Sequence, residues 1–198
     1  MNVHIRRIEK EDGKGLNMEN VIVRRPNIED KNKLIMLFDT VIKDTFRRNG
    51  LEYLVDMIEE EIQTKIRYLE QDLKNDSHER YFLIAEINHK IIGSIEYGPS
   101  SELIDRCTGG EIKDWIELGT IFVLPEYQGN GIGNLMIKKI ANELKKRGIN
   151  EVCLDSGYKT AQKIWTQKFG KAQYRLKDYW LKDNDHMIWK VDINEIGE

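Results

Sequence analysis

The stretch Gln128-Gly129-Asn130-Gly131-Ile132-Gly133 sets three glycines at alternate positions, between an apolar run ending at Leu124 and a helical pattern beginning near Ile132. Glycine takes backbone angles closed to other residues and has no Cβ to hold an anion away. The first turn of a helix leaves N–H donors unpaired beside the positive end of its dipole. Each anionic contact there contributes ~0.3–1 kcal/mol when exposed, and more when partly buried. The chemistry that these residues offer is therefore phosphate binding by backbone, without arginine or metal.

Three phosphate motifs compete for this stretch. A P-loop needs Lys-Ser/Thr after its last glycine, and here Asn134-Leu135 follow Gly133, so that reading fails. A dinucleotide fingerprint has the right surroundings, with Asp155 ending the next strand-like run. Its third glycine falls at position 134, which is Asn134, and Pro125-Glu126-Tyr127-Gln128 spoil the tight turn. The third pattern, Q/R-x-x-G-x-G/A, is filled by Gln128, Gly131 and Gly133.

The elements around the loop follow from period and punctuation. Val21-Ile22-Val23 begins a strand stopped by Arg25-Pro26, and Asn27 caps the next helix, with Glu29 and Asp30 in its first turn. Leu34, Phe38, Val41 and Thr45 share one helical face. A second helix carries Leu51, Leu54, Val55, Ile58, Ile62, Ile66, Leu69 and Leu73, with acids and bases opposite. Two strand-like runs, YFLIAEI and IIGSIEYG, flank a hairpin turn at Asn88-His89-Lys90. The segment from Pro99 to Asp114 shows no apolar period and reads as a long loop. WIELGTIFVL is a strand, followed by the glycine stretch and a helix closed by Gly148. EVCLD is a buried strand, Thr160–Phe169 a short helix, and a hairpin turning at Lys182–Asp185 ends the chain. This order predicts an α/β fold: one mixed, mostly antiparallel central sheet flanked by helices, with a parallel crossover at the glycine loop.

With this context, TIFVLPEYQGNGIG resembles the acetyl-CoA-binding motif of the GCN5-related N-acetyltransferases (GNAT). FLIAEINHKIIGSIEYG is similar to that family's central hairpin, and AQKIWTQKFG to its fourth helix. The resemblance covers roughly Val21 to Ile193. It implies a GNAT-like acyl-CoA N-acyltransferase fold and acetyl transfer from acetyl-CoA to a primary amine by direct attack in a ternary complex. It places the pyrophosphate on Gln128, Gly129, Asn130, Gly131, Ile132 and Gly133, and the pantetheine arm along Phe122 and Val123. Ala161 and Trp165 of the fourth helix complete the expected cofactor contacts.

Acetyl transfer requires deprotonation of the ammonium, stabilisation of an oxyanion and departure of a thiolate. Glu117, six residues before Val123 on the same strand, is the expected general base. Its apolar neighbours Trp115, Ile116 and Leu118 would raise its pKa by burial, while a salt-bridged or solvent-facing carboxylate is the plainer alternative. Glu126 would repel a phosphate and is expected to face away. Many relatives protonate the thiolate with a tyrosine in an A-x-x-x-Y-x-K pattern. Counted from Ala161 that position is Trp165, whose indole donates a hydrogen bond but is no acid near neutral pH. Tyr158, where relatives often have Asn, is the substitute if the helix start turns it inward. Trp165 also leaves open a catalytically weak or inactive acyl-CoA-binding module. The acceptor is expected between the first two helices, the Pro99–Asp114 segment and the final hairpin, with Tyr53, Asp105, Trp115, Tyr179 and Trp180 as candidate lining.

Composition bounds the rest. The 198 residues are 40% hydrophobic and carry a net charge of −3, enough for a core and without the basic surface that nucleic acid or an acidic membrane requires. Lys138-Lys139 and Lys145-Lys146-Arg147 read as solvated helix faces. Cys107 and Cys153 form neither a disulfide framework nor a metal site, so no metal is expected. The N-terminus lacks an apolar leader, and a cytoplasmic setting follows as an expectation. The resemblance implies a small-molecule or peptide amine as the acceptor, and a homodimer stays open. Residues 1–18 are read as an extension, a loose arm or added edge strand whose Val3–Asp12 resembles Val21–Asp30. Residues 19–198 are read as the acetyltransferase domain.

Overall fold

The computed structural model describes residues 16–74 and 79–196. The resemblance seen in Val3–Asp12, and most of the predicted extension, lies outside them. A short strand, β1 (Ile22–Arg24), leads to Asn27, whose side chain accepts the N–H groups of Glu29 and Asp30 in a capping box that launches α1 (Lys31–Arg48). α1 buries Leu34, Leu37, Phe38, Val41, Ile42 and Phe46 on one face. α2 (Val55–Lys74) packs antiparallel-fashion beside it through Ile58, Ile62 and Leu69. α2 starts later than the apolar spacing predicts, because Leu51 and Leu54 are spent on the turn between the helices.

β2 (Tyr81–Ile87) and β3 (Lys90–Pro99) form the predicted hairpin. Its turn residues Asn88 and His89 both have positive φ, 47° and 62°, as the right-handed twist of a two-residue turn requires. β4 (Ile116–Val123) runs antiparallel to β3, and α4 (Ile132–Lys146) crosses over to β5 (Glu151–Ser156), parallel to β4. α4 ends at a left-handed Gly148, with the N–H groups of Gly148 and Ile149 returning to Lys145 and Leu144. α5 (Lys159–Phe169) and the hairpin of β6 (Tyr174–Leu181) and β7 (Asn184–Asp192) complete the chain. The sheet order is β1-β2-β3-β4-β5-β7-β6, mostly antiparallel.

The segment predicted as a loop between Pro99 and Asp114 contains a helix, α3 (Glu102–Thr108), capped by Ser101 and ended by left-handed Gly109. Its Ile104, together with Ile112, packs on Cys153 and Ile188 as a separate small cluster. One buried residue, Ile104, in so short a helix leaves no readable period, which is why the pattern missed it. Arg147, expected on a solvated face, instead lies over the rings of Tyr81 and Tyr97, 4.9 and 5.5 Å from their centroids.

Two irregularities open the sheet at its middle. β4 and β5 pair only at Ile116↔Val152 and Glu117↔Cys153, so the β5-facing edge of β4 from Leu118 to Val123 has no strand partner. Between Ser94↔Phe122 and Glu96↔Gly119, two residues of β4 oppose one of β3, which is a bulge that bends the strand away. Thr120 within it has φ 49°, strained for a β-branched residue. It is held by Ser94 Oγ donating to its carbonyl at 3.0 Å and by its own hydroxyl donating to Glu96 at 3.2 Å.

Glu96 is nearly solvent-free, and burial raises its pKa against the pull of Arg80, whose guanidinium lies 2.9 Å away. Arg80 also stacks on Tyr68, 3.4 Å from the ring centroid. Arg80→Met is expected to destabilise the fold by ~3 kcal/mol or more at pH 8, because it leaves a buried carboxylate uncompensated. The loss is expected to be smaller at pH 5 than at pH 8, because burial raises the pKa of Glu96 and eases its neutralisation as the pH falls. Urea denaturation at the two pH values checks this, and an equal loss at both would contradict the role given to Glu96's charge.

Candidate active site

The parting of β4 from β5 leaves a wedge at the centre of the sheet, with the glycine turn at one end and Glu117 at the other. After β4, Pro125–Tyr127 make a single 3-10 turn, and Gln128 leads into the glycines. Gly129 and Gly131 have φ of +77° and +84°, so the backbone takes a conformation that L side chains rarely adopt. A Cβ added at Gly129, Gly131 or Gly133 would meet nothing within 4 Å, so the space above the turn is open. The N–H groups of Gly129 through Asn134 find no acceptor among the described residues, and no side chain caps α4. Open space, unpaired donors and a helix N-terminus together suit a pyrophosphate.

Side chains stiffen this turn rather than fill it. Gln128 donates to the Val123 carbonyl at 2.9 Å and accepts from Arg48 of α1 at 2.8 Å. Asn130 donates to the carbonyls of Tyr127 and Gln128. Lys168 of α5 donates to Asn134 at 2.7 Å, so two cations, Arg48 and Lys168, flank the donors. Glu126 pairs with Lys90 at 3.0 Å. Phe122 is half-buried with its ring edge-on to Phe38, 6.0 Å between centroids, and Val123 follows it on the unpaired edge. Ala161 and Trp165 lie on α5, where Trp165 stacks on Phe169 at 5.9 Å.

Glu117 occupies the last position at which β4 still pairs with β5. Its Oε2 accepts the N–H of Ser101 at 2.7 Å, so the unpredicted α3 cap fixes the carboxylate. Burial pushes its pKa up to about 8, with the charges of Asp155 and Glu96 reinforcing the rise and Lys65 and the Ser101 N–H opposing it. A carboxyl group with that pKa exchanges a proton near neutral pH.

Tyr158 is the N-cap residue of α5 and turns inward, its ring edge-on to Phe46 at 5.4 Å. Its hydroxyl donates a short hydrogen bond to Glu61 of α2, and burial and that carboxylate hold its pKa well above the ordinary phenol range. The end of α1 also touches the start of α5 through Asn49 and Thr160, 3.2 Å apart. Glu61 and Lys65 sit on the part of α2 read from the sequence as a solvated charged face, yet both point toward the sheet. Lys65 is half-buried, its pKa raised because the carboxylates of Glu61, Glu96 and Glu117 outweigh the cost of its burial. Of the candidate acceptor lining, Tyr179 accepts from Arg106 of α3 at 3.0 Å and packs against Trp180. Trp115 lies under Lys190, 5.5 Å from Nζ, while Tyr53 is largely exposed between α1 and α2.

Among the described residues no cluster of His, Cys, Asp or Glu could hold a metal ion, and no helix is long and apolar enough to cross a membrane.

Comparison with known proteins agrees with this fold. A [Ribosomal protein bS18]-alanine N-acetyltransferase of Haemophilus influenzae is 30% identical over 112 residues, 56% of this chain and 68% of that protein. The PaiA N-acetyltransferase of Thermoplasma acidophilum, solved in complex with coenzyme A, superposes with a TM-score of 0.61 at 20% identity, over 86% of this chain and 99% of that one. A ribosomal-protein-alanine N-acetyltransferase of Brucella melitensis gives 0.61 at 19% identity, over 86% and 99%. Residues 51–171, which hold both the glycine turn and Glu117, match the acetyltransferase (GNAT) family, and the chain belongs to that family of acyltransferases.

Proposed function

We propose that this protein transfers an acetyl group from acetyl-CoA to a primary amine, with both substrates bound at once. The observation that carries the reading is the pairing of an open, donor-rich glycine turn with a half-buried carboxylate of raised pKa at the other end of the same parted strand. Gly129 to Gly133 hold the pyrophosphate, Gln128 and Arg48 fix the turn, and the unpaired edge at Phe122 and Val123 receives the pantetheine arm. Ala161 and Trp165 line the far side from α5. The bound group supplies an activated acetyl thioester.

Glu117 takes the proton from the acceptor's ammonium, and the freed amine displaces the thiolate at the acetyl carbon. A pKa of about 8 suits this work, since a base is most effective when its pKa lies near the working pH. Tyr158 stays protonated through the physiological range, its hydrogen given to Glu61 until the hydroxyl turns to the departing sulfur. That makes it the phenol available to the departing thiolate in place of the tyrosine that Trp165 replaces. Tyr158→Phe is expected to lower kcat ~10²-fold while leaving acetyl-CoA affinity within about twofold. Pre-steady-state acetyl transfer measures this, and an unchanged kcat would assign the proton to water.

The Haemophilus relative's name supports a peptide N-terminus as the first acceptor to try, beside polyamines and amino sugars. The test is thiol release from acetyl-CoA with such a panel, confirmed by the mass of the acetylated product. Amine-dependent release is expected. Acetyl-CoA binding with no release for any amine would leave a binding module, the reading that Trp165 leaves open.

A further inference from the structure

The two oxygens of Glu117 stand in different surroundings. Oε2 accepts the backbone N–H of Ser101 at 2.7 Å, back toward the end of β3. Oε1 lies 3.8 Å from where a Cβ on Gly119 would stand, so it looks along β4 toward the stretch that has no strand partner. Gly119 shares the face of Glu117 by the period of two in a strand, and it keeps that side of the carboxylate clear. Any side chain there would meet Glu96 Oε1 at 2.6 Å. Oε1 itself accepts no hydrogen bond from the described residues.

The donor is held on both sides. Before it, the Ser100 N–H donates to the Trp115 carbonyl at 3.0 Å and the Ser100 hydroxyl to the Lys113 carbonyl at 2.6 Å. After it, Ser101 Oγ caps the Ile104 N–H at 3.4 Å, and Ile104 packs on Cys153 and Ile188. Cys153 is the β5 partner of Glu117, so α3 is seated on the strand pair that carries the carboxylate. The far end of α3 is tied to β6, where Arg106 donates to Tyr179 at 3.0 Å. A glutamate bonded to such a frame is fixed in one rotamer instead of sampling several.

This tether gives the oxygens separate tasks. An N–H donated to a carboxylate favours its charged form, and the oxygen that accepts it is the poorer site for a proton. The proton that Glu117 retains below about 8 therefore belongs on Oε1. The charged groups that act on the carboxylate from neighbouring elements are Asp155 on β5, Glu96 on β3 and Lys65 on α2. Lys65, the cation of the three, makes no ion pair with it, so among the described residues the Ser101 N–H sets its direction.

We propose that Ser101 is a positioning residue for acetyl transfer, its N–H holding Glu117 Oε2 so that Oε1 faces the unpaired edge of β4 and takes the proton of the acceptor's ammonium. The inference rests on the acetyl-transfer reading above. One proton passes from nitrogen to Oε1. The electron pair of that N–H bond stays on nitrogen, attacks the acetyl carbon, and the sulfur leaves with the pair of the C–S bond. Oε2 keeps its hydrogen bond throughout.

Ser101 has φ −72°, an angle that proline adopts, so Ser101→Pro deletes the N–H while the chain keeps its path. The acidic limb of kcat/KM for an amine is expected to move up by about one pH unit, because the bond that favours the charged carboxylate is gone. At pH 7 kcat is expected to fall ~10-fold or more, with acceptor KM within about twofold. Ser101→Ala loses the capping hydroxyl and keeps the N–H, and is expected to move the limb by no more than roughly a third as much. Independently of turnover, the ¹⁵N–¹H signal of Ser101 in the folded wild type is expected to titrate with a midpoint of about 8, and to stop titrating in Glu117→Gln. Equal pH profiles for Ser101→Pro and Ser101→Ala, or a Ser101 amide indifferent to pH, would overturn the inference. Should Ser101→Pro fail to fold, the amide titration decides alone. A wild type that acetylates no amine would instead count against the transferase reading, the amide titration still deciding whether Ser101 holds Glu117.

Discussion

Glu117→Gln is expected to lower kcat/KM for an amine acceptor ~10²–10³-fold and to leave acetyl-CoA binding unchanged, since it removes a general base and keeps the acceptor of the Ser101 N–H. The wild-type profile of kcat/KM should rise with pH through about 8, the pKa to which burial and the charges of Asp155 and Glu96 push Glu117. In the variant that limb should vanish. The same substitution is expected to stabilise the fold, and the sign follows from linkage. Below pH 4.5 the carboxyl is protonated whether folded or not, and no cost exists. Between there and pH 8 the unfolded chain releases the proton while the folded chain retains it, so stability falls as pH rises. Above pH 8 the full penalty stands, on the order of a few kcal/mol for a rise of this size. Thermal unfolding should therefore show a higher Tm for Glu117→Gln at pH 9 and little difference at pH 4. A catalytic group held at a cost to stability is the pattern expected where function sets the environment. A variant that lost activity without gaining stability at high pH would mean that Glu117 is an ordinary structural carboxylate.

The second large effect concerns the turn. Gly131→Val is expected to weaken acetyl-CoA binding about 100-fold or more, a loss of about 2.7 kcal/mol. The residue has φ +84°, where a β-branched side chain is strained by ~1–2 kcal/mol, and its Cβ would enter the open space above the N–H donors. Strain alone would not discriminate site from scaffold, but α4 supplies its own control. Gly148, at the other end of that helix, has φ +74° and equally open surroundings. Gly148→Val should cost the fold a similar amount and leave acetyl-CoA affinity unchanged. If the two variants bound acetyl-CoA alike, the turn would be no more than a helix start.

The glycine turn was legible in the sequence because backbone chemistry of this kind is spelled by residue type: only glycine allows the angles seen at 129 and 131. Glu117 was legible because strand spacing ties it to the turn. The strands and long helices were legible from their apolar period, and their order predicted the mixed sheet. What escaped depends on tertiary placement. α3 has only Ile104 facing the core, so its cap on Glu117 through Ser101 left no mark in the pattern. Glu61 and Lys65 have the i, i+4 spacing of a solvated pair, and only the packing of α2 over the wedge turns them inward. Tyr158 was recognised by position, but its direction is set by Phe46 and Glu61, one on each of the first two helices. Asp155 drew notice for a dinucleotide role that the family match displaces.

The most direct test of the acetyl-CoA assignment is calorimetric titration of the purified protein with acetyl-CoA and, separately, with NAD. Saturable binding of acetyl-CoA at one site, lost in Gly131→Val and kept in Gly148→Val, with no heat from NAD, is the predicted result. Binding of NAD without acetyl-CoA, or acetyl-CoA binding indifferent to Gly131, would contradict the account at its centre.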